Sequence, residues 1–197
     1  SSVEKIRAVT NISVMTGGSD DESDENYRAR ILETLKHPSS GCNRTYYENL
    51  IKTVPGIYSV GFIPNAQTSG TLGIYLGGQG TAVGNSTVEA VKSLMADGRE
   101  ANVNVLVYAA QAKSIPVTAE IELEDGYDLT EAKANAKTSL ELYFRDTFVG
   151  QDIYAYDIYK VLVNTKGIAS AILSMSDTKV SQNLYPTLGT LTLTVSK

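Results

Sequence analysis

Residue types able to do chemistry gather at three places in this chain. The densest is "TGGSDDESDENYRARILETLKHP", residues 16–38, where Asp20, Asp21, Glu22, Asp24 and Glu25 crowd together behind a Gly-Gly pair. Carboxylates in such number could chelate a hard cation or act as catalytic acids. A calcium loop of the EF-hand type needs oxygen ligands at alternate positions, a central glycine and a closing bidentate glutamate. "DDESDE" has no internal glycine, and its acids are too contiguous to converge on one ion. A glycosidase pair is brought together across a cleft, not drawn from one run. The start of a helix accounts for the run best: Ser19 or Ser23 caps it, and the acids sit at the positive end of the helix dipole.

The second place is "GGQGTAVGNS", residues 77–86, between a predicted strand and a predicted helix, where a phosphate-cradling loop would lie. Gly78, Gly80 and Gly84 give G-x-G-x-x-x-G, one residue off the dinucleotide fingerprint. No Lys-Ser/Thr pair follows, and the next strand ends "VYAAQ" without an acid for a ribose. A flexible connecting loop is expected. The third place is "KHPSSGC", with the single histidine, His37, near the single cysteine, Cys42. A cation closing a helix explains His37 more simply than a nucleophile–base pair. No catalytic constellation emerges, and neither a metal nor a cofactor is expected.

The elements that hold these residues follow from periodicity. A helix over 24–36 carries Tyr27, Ile31 and Leu35 as an apolar stripe, and Pro38 stops it. A second spans 44–54, with Asn43 as cap, Tyr47, Leu50, Ile51 and Val54 on one face, and "PG" at 55–56 as its end. Strands come next at 57–63 and 71–76. A third helix opens at Ser86 with "STVE", a capping box in which Glu89 reaches back. It turns Val88, Val91, Leu94 and Met95 inward.

Strands at 102–108 and 115–123 come after it, then a helix over 129–146 whose buried side is Leu129, Ala132, Ala136, Leu140, Tyr143 and Phe144. A fifth helix lies within 153–165, and strands at 168–175 and 188–195 finish the chain. Elements are grouped rather than strictly alternating, so the class is α+β.

The chain also repeats itself. "YENLIKTVPGIYSV" (47–60) aligns with "IYKVLVNTKGIASA" (158–171), matching Gly56 to Gly167, and "GTLGIYL" (70–76) aligns with "GTLTLTV" (189–195). The expected architecture is a pair of duplicated α-α-β-β units joined by a helix and two strands, with mixed or antiparallel sheets. Residues 1–16 read as a connecting segment of a longer chain, 17–110 as the first unit and 111–197 as the second.

Composition narrows the function. With 197 residues, 42% hydrophobic and 20% charged, the chain can bury a sizeable core. A net charge of −5 and a pI near 4.9 disfavour a nucleic-acid backbone or an anionic membrane as partner. No apolar run approaches the ~20 residues of a spanning helix. The opening "SSVEKIRAV" has neither a signal-peptide core nor an initiator methionine, which suggests an excised piece. Twelve tyrosines stand against three phenylalanines and no tryptophan, a balance that suits half-buried positions and partner-covered surfaces.

"GGSDDESDENYRARIL" resembles the signature of the baseplate J-like proteins, wedge components of contractile phage tails and related injection machines. The resemblance rests on Gly17, Gly18, Asp20, Ser23, Asp24, Glu25, Arg28 and Arg30, and continues through Pro55 and Gly56 of "VPGI". "TLGIYLGG" and the stretch from "VEAVKSLMADGREANV" to "TAEIEL" are also similar to the family, which often has "R-P-x-G-A" where this chain has "GREANV". It implies a structural job around a tail tube, in the virion baseplate after assembly in the host cytoplasm. Its partners would be other tail proteins and further copies of the chain in a ring, with no nucleic acid and no membrane insertion.

Tyr46, Tyr47, Tyr154 and Tyr156 are the candidates for facing a partner, since each helix has an inward stripe that does not need all its tyrosines. A receptor- or glycan-binding tail module is the alternative, weakened by the lack of tryptophan platforms. A metal-assisted hydrolase on Asp20, Asp21 and Asp24 ranks last.

Overall fold

The computed structural model describes residues 23–36, 43–99 and 102–196. They fall into two units, the first holding a single helix and the second everything from residue 43 onward.

The first unit's helix is α1 (Asp24–Lys36). Ser23 is its cap: the Asn26 amide donates to Ser23 Oγ at 3.3 Å and the Tyr27 amide to the Ser23 carbonyl at 2.9 Å. Asp24 and Glu25 occupy the first turn, where the dipole favours negative charge. The expected stripe of Tyr27, Ile31 and Leu35 is exposed. Gly17, Gly18, Asp20, Asp21, Glu22, His37 and Cys42 lie outside the described residues.

The second unit runs α2 (Arg44–Lys52), β1 (Ser59–Pro64), β2 (Thr71–Gly77), α3 (Asn85–Gly98), β3 (Asn104–Ala109), β4 (Gln111–Leu123), α4 (Leu129–Arg145), α5 (Ala155–Val163), β5 (Ile168–Leu173) and β6 (Leu184–Val195). The fold is α+β, and the elements come in the expected order.

Two three-stranded sheets result. In the first, β2 is central, antiparallel to β1 and parallel to β3. In the second, β4 is central, antiparallel to β5 and parallel to β6. The repeated corner is present in both: Gly56 (φ +87°) and Gly167 (φ +91°) each turn the chain from helix to strand in the left-handed region that glycine tolerates. Strand pairing differs between the copies. β1 and β2 are neighbours across the short loop 65–70, whereas β5 and β6 stand on opposite sides of β4 and need the longer loop 174–183.

β4 takes the centre because one whole face of it is apolar: Ile115, Val117, Ala119 and Ile121 are all buried. Between Ile115 and Val117 the ladder slips, with Ile115 opposite Leu188 but Val117 opposite Leu191. Pro116 sits at the slip and has no N–H to give, so β6 carries one extra residue there.

α2 and α3 cover the first sheet through Tyr47, Ile51, Val88, Val91 and Met95. α4 and α5 cover the second through Ala132, Ala136, Leu140, Phe144, Ile158 and Leu162. Leu129, expected on the buried side of α4, is exposed at the first helical position. The expected capping box of α3 does not form. Gly84 is the N-cap, Ser86 already lies inside the helix, and Glu89 pairs with Lys92 at 2.8 Å instead.

The sheets are joined at a seam. β3 passes through buried Ala110 into β4, with the Ala110 amide donating to the Leu76 carbonyl (2.8 Å) and the Gln111 amide to the Asn183 carbonyl (3.0 Å). From the far side, the turn after α4 inserts Val149, whose amide donates to the buried Ser59 Oγ at 3.1 Å. Gly61 and Gly77 leave it room. A Cβ at Gly77 would meet Val149 Cγ2 at 2.5 Å; one at Gly61 would overlap the Gln182 carbonyl and stand 2.7 Å from Val149 Cγ1.

Gly61→Ala is therefore expected to destabilise the protein by about 3 kcal/mol or more, because backbone rather than a flexible side chain must yield. Gly126→Ala, at φ +88° with nothing within 4 Å of the added carbon, should cost only about 1 kcal/mol. Urea unfolding of both variants measures the difference.

Candidate interaction surface

The pattern of α5 divides its residues between core and solvent. Ile158 and Leu162, four apart, are buried, which turns Tyr156, Tyr159 and Lys160 outward. Tyr154, at the N-cap, provides no side-chain cap; the Ala155 amide donates instead to Asp177 Oδ1 at 2.9 Å. Tyr154 is 50% and Tyr156 67% exposed.

The outer face is locally ordered. Tyr156 and Tyr159 stack with centroids 6.4 Å apart at 22°, and Lys160 Nζ lies 4.9 Å from the Tyr156 ring centroid while pairing with Asp157 at 2.7 Å. The hydrogen bond to Asp157 raises the Lys160 pKa, and the Asp157 and Tyr156 charges add to it. An exposed ion pair of this kind adds little stability, but it fixes where the ring stands.

Beside it, between α4 and α5, runs a groove of about 430 Å³ lined by Leu142, Tyr143, Asp157, Lys160, Val161 and Asn164. Tyr143 Oη is buried there without a hydrogen-bond partner among the described residues. Burial raises the phenol pKa, and the charge on Asp157 raises it further.

The other two candidate tyrosines fare differently. Tyr47 is only 4% exposed, packed in the core of the first sheet, so it is not a partner-facing residue. Its place at i−4 from buried Ile51 puts it on the inward face of α2. Tyr46 is half-buried and meets Tyr47 edge-on at 5.6 Å. The structure thus leaves Tyr154 and Tyr156 exposed at the start of α5 and Tyr46 half-buried on α2.

Of the motif residues, Ser23, Asp24, Glu25 and Arg28 lie on or beside α1, the Arg30 side chain is outside the described residues, and Pro55 and Gly56 form the stop after α2. The loop after β2 is tied to the end of α4: Gln79 Nε2 donates to Asp146 Oδ1 at 2.7 Å, and Gly80 packs on the Arg145 backbone. Arg145 and Gln79 together hold the Asp146 carboxyl below its usual pKa.

Three aromatic contacts add residues that composition and motifs do not single out. Tyr159 carries a local signal, its i+3 spacing from Tyr156. Tyr58 on Phe148 (5.2 Å) and Tyr75 on Tyr108 (5.6 Å) join residues distant in sequence and carry none.

Residues 115–194 match the family described as the Baseplate J-like protein C-terminal domain. No curated protein sequence matches. Among solved structures, the chain is similar to one in the baseplate of the anti-feeding prophage, determined by cryo-EM with six-fold symmetrisation, with a TM-score of 0.57 at 15% identity. The match covers 92% of this chain and 47% of that one, so the chain spans about half the length of its structural relative.

Tyr143→Phe is expected to leave stability unchanged or raise it by up to about 1 kcal/mol, since the hydroxyl it removes is buried and unpaired. A thermal melt at neutral pH tests this; a clear drop in Tm would mean that the hydroxyl has a partner.

Proposed function

We propose that the chain is a structural part of a contractile tail baseplate, belonging to the wedge around the tail tube. It acts by holding protein neighbours and passing on a rearrangement, not by catalysis. The observation that carries this reading is the family match over the second sheet and its helices. The fold likeness to an anti-feeding prophage baseplate chain supports it across nearly the whole sequence. Its neighbours are other baseplate proteins and further copies of itself. Nucleic acid has no part in the contact, as the acidic balance argues. It sits in the tail baseplate of the virion and is assembled in the host cytoplasm.

The physical form suits the task. A body that transmits a push must not flex between its two sheets, and here strand continuity and the Val149 insertion both lock them. Among the described residues no helix is long and apolar enough to cross a membrane, and no three His, Cys, Asp or Glu converge as metal ligands. The electrostatics at Asp146 and Lys160 come from ion pairs and an amide contact at a surface.

Affinity purification of the full-length protein from its source cells, with mass spectrometry of what accompanies it, tests the reading. Sheath, tube, hub or wedge proteins are the expected catch; metabolic enzymes alone would sink it. The Tyr154→Ala/Tyr156→Ala double variant should retain its fold, within about 0.5 kcal/mol for exposed positions, and lose co-purifying neighbours. Unchanged recovery would remove α5 from the interface.

A further inference from the structure

We propose that the seam between the two sheets carries a binding site for a neutral saccharide, independent of the assembly role. Its wall is the pair Tyr75 on β2 and Tyr108 on β3. These are register partners in the parallel ladder, and their rings stack at 5.6 Å and 27°. Gln67 from the β1–β2 loop, Gln111 at the start of β4 and Asn183 before β6 complete a cavity of about 350 Å³. Small-molecule sites begin at about this size.

The lining selects the ligand. No charged residue borders the cavity, in a chain where 20% of residues are charged, so nothing there would compensate an ionic ligand. Three carboxamides each offer donors and an acceptor, which matches sugar hydroxyls that both give and take hydrogen bonds. Gln67 Nε2 already donates to Tyr108 Oη at 3.0 Å and holds that ring in place.

The side-chain amides of Gln111 and Asn183 have no hydrogen-bond partner among the described residues, so their capacity is unspent. Tyr108 rests on Tyr75 with one face and is 38% exposed, leaving ring surface for the C–H face of a pyranose. The paired tyrosines take the place of the tryptophan platform the chain lacks.

The site forms only because the two sheets meet. β2 and β3 supply the rings, while Gln111 and Asn183 come from the second sheet's first strand and the approach to its last. The Gln111 backbone amide donates to the Asn183 backbone carbonyl at 3.0 Å, which ties the start of β4 to the approach to β6, and both residues line the cavity.

Saturation-transfer difference NMR of the purified chain with methyl α-glucoside, methyl β-galactoside, N-acetylglucosamine and maltose, each at millimolar concentration, tests the proposal. Transfer to at least one sugar is expected. Tyr108→Ala should abolish it with the melting curve preserved, and Gln111→Ala or Asn183→Ala should weaken it about fivefold, one hydrogen bond's worth. Tyr108→Phe, which keeps the ring and drops the Gln67 bond, should still bind. No transfer to any of the four sugars overturns the proposal, as does transfer indifferent to Tyr108→Ala. So does hydroxyl-radical footprinting of the assembled particle that finds Tyr75 and Tyr108 covered by a protein neighbour.

Discussion

The relative position of the two sheets depends on one insertion, Val149 against the backbone at Gly61 and Gly77. A single strand running from β3 through Ala110 into β4 would leave the sheets free to twist about that connection. The turn after α4 removes this freedom from the opposite side. It does so because two facing positions lack side chains and because Ser59, itself buried, has an oxygen ready for the Val149 amide. Tyr58 stacked on Phe148, with Gln79 bonded to Asp146, extends the same contact outward to solvent. Apolar burial supplies attraction here, while the hydrogen bond and the missing Cβ atoms supply the geometry.

Once the seam is fixed, the remaining surfaces have little choice. α4 approaches its sheet through Ala132 and Ala136, small enough to bring the backbone close, and α5 packs beside it through Ile158 and Leu162. With their inward positions spent, these helices show a groove containing an unpaired phenol and a face of tyrosines steadied by Lys160. Tyrosine is suited to such a face, since it brings a large contact area at low rotational cost and tolerates water until a neighbour arrives.

How much of this is legible in the sequence depends on whether the cause is local. The Asn43 cap and the Gly56/Gly167 match are decided within a few residues and agree with the structure; periodicity places the helices, but α2 stops at Lys52 rather than at 54, and the stripe of α1 and Leu129 of α4 are exposed. The "STVE" box fails because it too is a local signal, but an ambiguous one. Gly84 in extended backbone allows the helix to start earlier, which places Ser86 inside it. Tyr47 fits both the inward stripe and a partner surface by its spacing, and only packing decides between them. The Tyr75–Tyr108 pair depends on which strands lie side by side, and no spacing in one sequence encodes that.

The same distinction explains why the two copies of the repeat diverge. Each preserves the helix–glycine–strand corner, which needs only its own residues. Beyond that corner, the partner strand available sets the pairing. β1 and β2 close on each other through a short loop, while β5 and β6 must accommodate β4, whose buried face of four apolar residues fits nowhere but the centre. Pro116 then imposes the slip that β6 absorbs. The family match covers this second sheet with its helices, and it includes both Val149 and Gln182. The glycines that receive them, Gly61 and Gly77, lie before the match begins. The seam is therefore a joint property of the two halves: a side chain added at Gly77 must be answered by a smaller one at Val149, one added at Gly61 meets the Gln182 backbone, and neither half alone carries the reason for its own sequence there.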